Sequence, residues 1–417
     1  MKVSISGFVA VFLLLTRVAA GQPRQCQNIG FGGEVGCLAE MQPDDPLGQR
    51  TPLILVHGWN PEALFAKPRI ESWDQFIAYY FNDRLLRERF KIYFFLYYSN
   101  VNSASDLGAL MRKEIDRKGA SDPVFASRPI MVLAHSFGGT VTRSYIQEHG
   151  GWEKVALLVT LGTPYHGTPF ANGPARDYLA LRQGLPALVL LLFDNLFYLS
   201  GSTISTQVNR SDLRWDNYDG LLNLSLFPNE RNKWLENLNR DNSYNLKIIA
   251  YAGTFAPGAD CDRFSQFQTF CYGSAILGSM GLANDGLVPL SSALFHDSQG
   301  APRVFSRSFD NYNHEEIVRG KGDNVLFDFI RHDLLSSVTS GILNINVNGR
   351  GTVTVYPDGL SCGGSCSYNF AGGKDLTLRP APQSDYVFNG WRGDPDCYDG
   401  QVKINSGTVS CQANFSY

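Results

Sequence analysis

Beyond its first residues, the 417-residue chain has no apolar run approaching the roughly 18–20 residues that a membrane-crossing helix needs. It also lacks any C-x-x-C pair or Cys/His cluster, which speaks against a zinc site of the usual spacing. Charge is sparse: Asp, Glu, Lys and Arg make up 18% of the residues, the formal net charge is -3, and the basic residues are scattered. Nucleic acid is thereby disfavoured as the main partner, because it would require a concentrated basic face. What the chain does have is apolar material, at 44%, ample for a large core. Its 27 Phe and 19 Tyr suit an apolar ligand, although large cores use aromatics too. The length favours two folded units behind a short leader.

Residues 1–20 read as an export signal. Lys2 supplies the positive start, Phe8 to Leu15 a short apolar stretch, and Val18-Ala19-Ala20 a small-residue cleavage site before Gly21. The mature protein is therefore expected to be secreted, extracellular or periplasmic, with no transmembrane segment. Eight cysteines fit an oxidising compartment. They fall into the couples Cys26/Cys37, Cys261/Cys271, Cys362/Cys366 and Cys397/Cys411. Local pairing is the simplest of on the order of a hundred arrangements that eight cysteines allow.

From about Pro52 to His332, short apolar runs alternate with amphipathic stretches. Leu53–Val56, Ile92–Leu96, Ile130–Leu133, Val155–Leu161 and Ile248–Tyr251 are nearly continuous in apolarity, as strands buried on both faces should be. Helical patterns such as Trp73–Arg87, Leu107–Arg117 and Thr140–His149 lie between them. The expected fold class is α/β, a mainly parallel sheet with helices on both faces, occupying residues 21–338. Pro186–Leu199 departs from this pattern: Leu188–Phe193 is apolar all round, Leu196–Leu199 follows after Asp194-Asn195, and the stretch reads either as a buried helix or as part of a cap, around residues 172–240. Near Ser336 the character changes. Leu343–Asn348 and Thr352–Tyr356 alternate with period two, and Pro357-Asp358-Gly359, Gly363-Gly364 and Gly372-Gly373 punctuate them. Residues 341–417 are expected to form a small all-β, antiparallel module, cross-linked because its core is small.

The chemistry centres on Ser136. The apolar strand at 130–133 runs straight into Ala134-His135-Ser136-Phe137-Gly138-Gly139, and a helix-compatible stretch follows. Strand, sharp elbow and helix are the context in which a serine flanked by small residues becomes an acyl-transfer nucleophile, here with Ala134 in place of the usual first Gly. A similar pattern around Ser279-Met280-Gly281 has Leu277 at the small position and no strand before it. Acyl transfer also needs two N–H donors aimed at the developing oxyanion. The strand Pro52–Val56 ends in His57-Gly58-Trp59, so these donors are assigned to the amides of Trp59 and Phe137. His57 itself is expected to fix its loop. Of seven histidines, His314 follows the strand-like Val304-Phe305 and so occupies the place of the base. His296 precedes that strand. Asp285, in the turn Asn284-Asp285-Gly286, is the expected acid in preference to Asp260 and Asp262, completing the order Ser, Asp, His.

Pro52–Trp59, Ala134–Gly139, Leu161-Gly162-Thr163-Pro164-Tyr165-His166-Gly167-Thr168, Asn284–Val288 and Asn313-His314-Glu315-Glu316-Ile317-Val318 together resemble the signatures of bacterial secreted lipases and esterases. The resemblance implies the α/β-hydrolase fold, hydrolysis of acylglycerols or related esters, and the roles just argued for Ser136, Asp285 and His314. No cofactor is then required for the chemistry, and a structural calcium is left open with no ligands placed. Tyr165 departs from the family pattern, which has His directly after Gly-Thr-Pro. The Ala-His-Ser form also resembles polyhydroxyalkanoate depolymerases, so a polyester depolymerase is an alternative, with a non-catalytic adhesion protein as a second. Gly351-Thr352-Val353, Cys362–Cys366, Phe388–Trp391 and Cys411–Phe415 resemble a bacterial repeat module of exported proteins, which implies surface or polymer attachment without catalytic residues. Trp391 is expected to be a core residue rather than a sugar platform.

Overall fold

The computed structural model describes residue 26 and residues 36–59, 70–99, 102–190, 211–256, 268–338, 341–356, 359–370, 374–404 and 407–417. The expected leader at 1–20, Asp260, Cys261, Asp262, much of the Pro186–Leu199 stretch and the turn residues 357–358 and 372–373 lie outside them. The chain divides into two compact units, residues 1–328 and 329–417.

In the first unit, β1 (Gly36–Glu40), β2 (Thr51–Val56), β3 (Phe90–Tyr97), β4 (Ile130–His135), β5 (Val155–Leu161), β6 (Ile248–Thr254) and β7 (Phe305–Asp310) form one sheet in the order β1-β3-β2-β4-β5-β6-β7. β1 pairs antiparallel with β3, and every other pair is parallel. The central strands carry Val, Ile, Leu and aromatic residues on both faces because both faces are covered, and all eight residues of β3 are buried. At the far edge, β7 reads Phe-Ser-Arg-Ser-Phe-Asp with only Phe309 buried, a polar edge of the kind that discourages pairing with other chains. Helices α1 (Asp74–Asn82), α2 (Arg84–Arg89), α3 (Ala104–Ser121), α4 (Pro123–Ser127), α5 (Phe137–Glu148), α6 (Gly173–Arg182), α7 (Lys233–Leu238), α8 (Gln268–Ser279), α9 (Leu290–Ala293) and α10 (Glu316–Arg319) accompany it, and α11 (Val325–Val338) spans the division. The single helix expected over 73–87 is broken at Asp83, whose extended backbone ends α1 and whose carboxylate accepts the Leu86 N–H to start α2. This is the α/β-hydrolase architecture. Leu107, Met111, Ile115, Val141 and Tyr145, from α3 and α5, bury against Ile54, Val56, Tyr93, Phe95 and Val132. Among the described residues no helix is long and apolar enough to cross a membrane.

The start of α3 contains a charge that costs stability. Ser103 caps it with Asp106 in a reciprocal pair, and the Asp212 carboxylate accepts the Ala104 N–H at 2.6 Å. Burial pushes the Asp212 pKa up from 3.8 to about 6. Because the folded-state value is the higher one, the associated stability is fully present below about pH 4 and is lost as pH rises through about 6. That rise corresponds to about 3 kcal/mol. Asp212→Asn, neutral at every pH and still able to accept from Ala104, is therefore expected to raise unfolding free energy by up to about 3 kcal/mol at pH 8. Near pH 4 it should change little. Urea titrations at the two pH values check both statements.

The second unit is a β sandwich. β8 (Gly341–Asn348), β11 (Ser365–Phe370), β13 (Val387–Gly393) and β15 (Gly407–Ser416) form one sheet, and β9 (Gly351–Tyr356), β10 (Leu360–Cys362), β12 (Lys374–Pro382) and β14 (Gln401–Ile404) the other. Leu343, Ile345, Val353, Val355, Leu376, Leu378, Val402, Ala413 and Phe415 fill its core. One pair corrects the all-antiparallel expectation. β15 runs parallel to β8, with Gly407 opposite Gly341 and Asn414 opposite Asn348, because the last strand returns beside the first in the same direction. Trp391 is half-buried and packs on this core, 5.2 Å from Phe388 by ring centroids. Cys26–Cys37, Cys362–Cys366 and Cys397–Cys411 are disulfides, and Cys271 is disulfide-bonded as well.

Candidate active site

At the carboxyl end of β4 the chain turns through Ser136, which has φ 53° and ψ -127° before α5 begins. A non-glycine residue reaches that conformation only when its surroundings enforce it. Here the Ser136 N–H donates to the Leu161 carbonyl at 2.9 Å, while its carbonyl accepts from the Gly139 N–H and the Thr163 hydroxyl, each at 3.0 Å. The elbow also needs room. Ala134 is fully buried, and a Cβ on Gly138 would stand 2.4 Å from the His57 oxygen and 2.8 Å from that of Val56. Both are backbone atoms, so Gly138→Ala must push α5 away from the end of β2. We expect turnover of a p-nitrophenyl ester to fall by about 100-fold, an effect of the size that sub-ångström to 1 Å misplacements produce. Steady-state kinetics on the purified variant, with a thermal melt as control, test this.

Three side chains meet at the elbow. His314 Nε2 lies 2.8 Å from Ser136 Oγ, and His314 Nδ1 lies 2.7 Å from Asp285 Oδ2. Asp285 sits in the loop after α8 and is fully buried. Its Oδ1 accepts the N–H groups of Leu287 at 3.0 Å and Val288 at 2.7 Å, which compensate the burial of its charge and leave Oδ2 for the imidazole. The main chains are joined too: the His314 N–H donates to the Asp285 carbonyl at 2.8 Å. With the carboxylate accepting from Nδ1–H, Nε2 is free to accept the Ser136 hydroxyl proton. Gly162, at φ 60°, closes the back of this cluster, where a Cβ would come within 3.2 Å of both Asp285 Oδ2 and His314 Nδ1.

Gly58 lies beside the nucleophile: a Cβ on it would be 2.9 Å from Ser136 Cβ. Trp59 follows Gly58 in the chain, and Phe137, directly after Ser136, is the first residue of α5. His57 is buried. It accepts the Tyr97 N–H at Nε2, donates from Nδ1 to the Gly58 carbonyl at 2.7 Å, and stacks on Tyr97 with ring centroids 4.2 Å apart. Tyr97 in turn donates its hydroxyl to the His57 carbonyl at 2.6 Å. These contacts fix the loop. Ser279 ends α8, and its hydroxyl donates to the Ile276 carbonyl.

Several residues with a part here were not assigned one from sequence. Thr163 braces the elbow, Gly162 leaves space for Asp285 and His314, and His135 meets the His314 carbonyl at 2.9 Å. His166, one place further along than in the lipase pattern, is buried. Its Nδ1 is 2.7 Å from Asp216 Oδ2 and its Nε2 2.7 Å from the His296 carbonyl. Asn239 donates to the same Asp216 oxygen and accepts from the buried Arg143 of α5, whose guanidinium lies over Tyr165 and Phe295. Asp216 and Asn239 are thus bound to the strand end after β5 and to α5. Among the described residues no three His, Cys, Asp or Glu side chains gather as metal ligands would.

No protein-family model and no curated protein matches the chain. Among solved structures it is similar to a Bacillus licheniformis lipase in its mature form, at 18% identity and a TM-score of 0.43, over 70% of this chain and 94% of that one. It is likewise similar to a Bacillus subtilis carboxylesterase, at 11% identity and a TM-score of 0.39, covering 80% and 98% of the two chains. A third is a serine hydrolase of Cycloclasticus zankles, at 13% identity and a TM-score of 0.37, covering 71% and 94%. Likeness at this level carries no argument about chemistry, which rests on the site itself.

Proposed function

We propose that the protein is an exported serine hydrolase that cleaves carboxylic esters, most closely a lipase or esterase, through a covalent acyl-enzyme on Ser136. The observation that carries this reading is the continuous chain of contacts from Ser136 Oγ to His314 and on to Asp285, at 2.8 and 2.7 Å. Ser136 Oγ attacks the ester carbonyl carbon as His314 Nε2 takes its proton. The amides of Trp59 and Phe137 meet the developing oxyanion. The alcohol leaves with the proton from His314, and a water, deprotonated by the same nitrogen, then releases the acid and restores Ser136. Asp285 holds the imidazole in the required tautomer and stabilises its cation. The leader-like residues 1–20 and the disulfides support export, and the β module at 341–417 supports a role in attachment to a surface or polymer.

A panel of p-nitrophenyl esters from acetate to palmitate, given to the native protein and to Ser136→Ala, tests the proposal. Native turnover that disappears in the variant supports it. No turnover by the native protein, or equal turnover by both, defeats it.

A further inference from the structure

His135 is positioned to do something the three reacting residues cannot do by themselves. It directly precedes Ser136 at the end of β4, is only half-buried, and its Nε2 lies 2.9 Å from the main-chain carbonyl of His314. A carbonyl oxygen only accepts, so Nε2 carries the proton and donates. The two imidazole rings stand 4.9 Å apart by centroids. His314 is therefore tied to the nucleophile's strand twice: through Ser136 Oγ, and through the side chain one residue earlier.

The two ties have different lifetimes in the proposed reaction. In the free enzyme the Ser136 hydroxyl hydrogen-bonds His314. Once Oγ has bonded to the acyl carbon and its proton has left with the alcohol, Oγ has no hydrogen to donate, and that tie is gone until water has cleaved the acyl group. Asp285 still holds the imidazole through Oδ2 and holds the His314 N–H through its carbonyl, but both contacts come from the loop after α8. The His135 contact belongs to the strand that bears the acyl group, so it preserves the register between the base and the carbon that water must attack. We propose that His135 is a positioning residue for deacylation: by donating to the His314 carbonyl it holds the base against the acylated Ser136 during the step when Ser136 cannot. The inference rests on the acyl-enzyme chemistry proposed above.

Stopped-flow hydrolysis of p-nitrophenyl butyrate by the native protein, His135→Leu, His135→Gln and Ser136→Ala tests it. The Leu variant removes the donor, whereas the Gln amide nitrogen reaches the place of imidazole Nε2. For His135→Leu, the deacylation rate constant should fall about tenfold, the size expected for one lost hydrogen bond acting in one step. The acylation rate and kcat/KM should stay within about twofold, so kcat and KM fall together. His135→Gln should recover most of the deacylation rate. Equal slowing of both steps, unchanged deacylation, or a Gln variant no better than Leu overturns the positioning role. A Ser136→Ala protein that gives the native burst would instead overturn the acyl-enzyme reading, and so the two failures are told apart.

Discussion

Ser136→Ala is expected to lower kcat for a p-nitrophenyl ester by about 10⁶, the scale seen when a serine nucleophile is removed from a triad. The size follows from what the substitution takes away and what it leaves. The strained elbow is held by main-chain bonds to Leu161 and Gly139 and by the Thr163 hydroxyl on the Ser136 carbonyl. None of these involves Oγ, so the alanine protein should keep its fold and its melting temperature. Oγ alone disappears, and with it the atom that forms the acyl bond. On the proposed mechanism the amides of Trp59 and Phe137 remain and would still polarise a bound ester for slow attack by water. A loss of less than about tenfold in kcat, with the fold intact by circular dichroism, would mean that another group performs the chemistry.

The second large effect is expected from Asp285→Asn, a drop in kcat of about 10⁴. Its cause lies in the loop geometry. Oδ1 of Asp285 accepts from the amides of Leu287 and Val288, and Oδ2 accepts from His314 Nδ1–H. An asparagine must keep its carbonyl oxygen toward the two amides, because its NH₂ cannot accept from them. The NH₂ then faces Nδ1 and donates to it, which moves the imidazole proton to Nε2. A protonated Nε2 cannot take the Ser136 proton. The variant should therefore lose kcat while KM changes little. A loss confined to KM would contradict this assignment.

Much of this arrangement was legible in the residues, and the illegible part has a common physical cause. β2, β4 and β5 announce themselves as apolar runs because both faces of a parallel sheet are buried. Ser136, Asp285 and His314, which the structure brings together, each follow a strand or turn signal in the order the fold requires. β1 escaped notice. Gly36-Cys37-Leu38-Ala39-Glu40 has no β-branched residue and is a strand by virtue of pairing with β3 and the disulfide to Cys26. β7 shows only its first residue, Phe305, in the sequence pattern, since an exposed edge strand of alternating Ser and Arg lacks an apolar run. The contact between His166 and Asp216 crosses 50 positions, and the one between His135 and His314 crosses 179, so no local spacing marks either. The direction of β15 against β8 was hidden for a related reason: it depends on the path of the whole module, not on either strand's residues.

The central claim, that Ser136 is the covalent nucleophile, is tested most directly by treating the protein with a fluorophosphonate ester and mapping the adduct by peptide mass spectrometry. One phosphonyl group per chain, on the peptide containing Ser136 and absent from Ser136→Ala, is the expected result. An adduct on another residue such as Ser279, or no adduct in a preparation that hydrolyses esters, would contradict it.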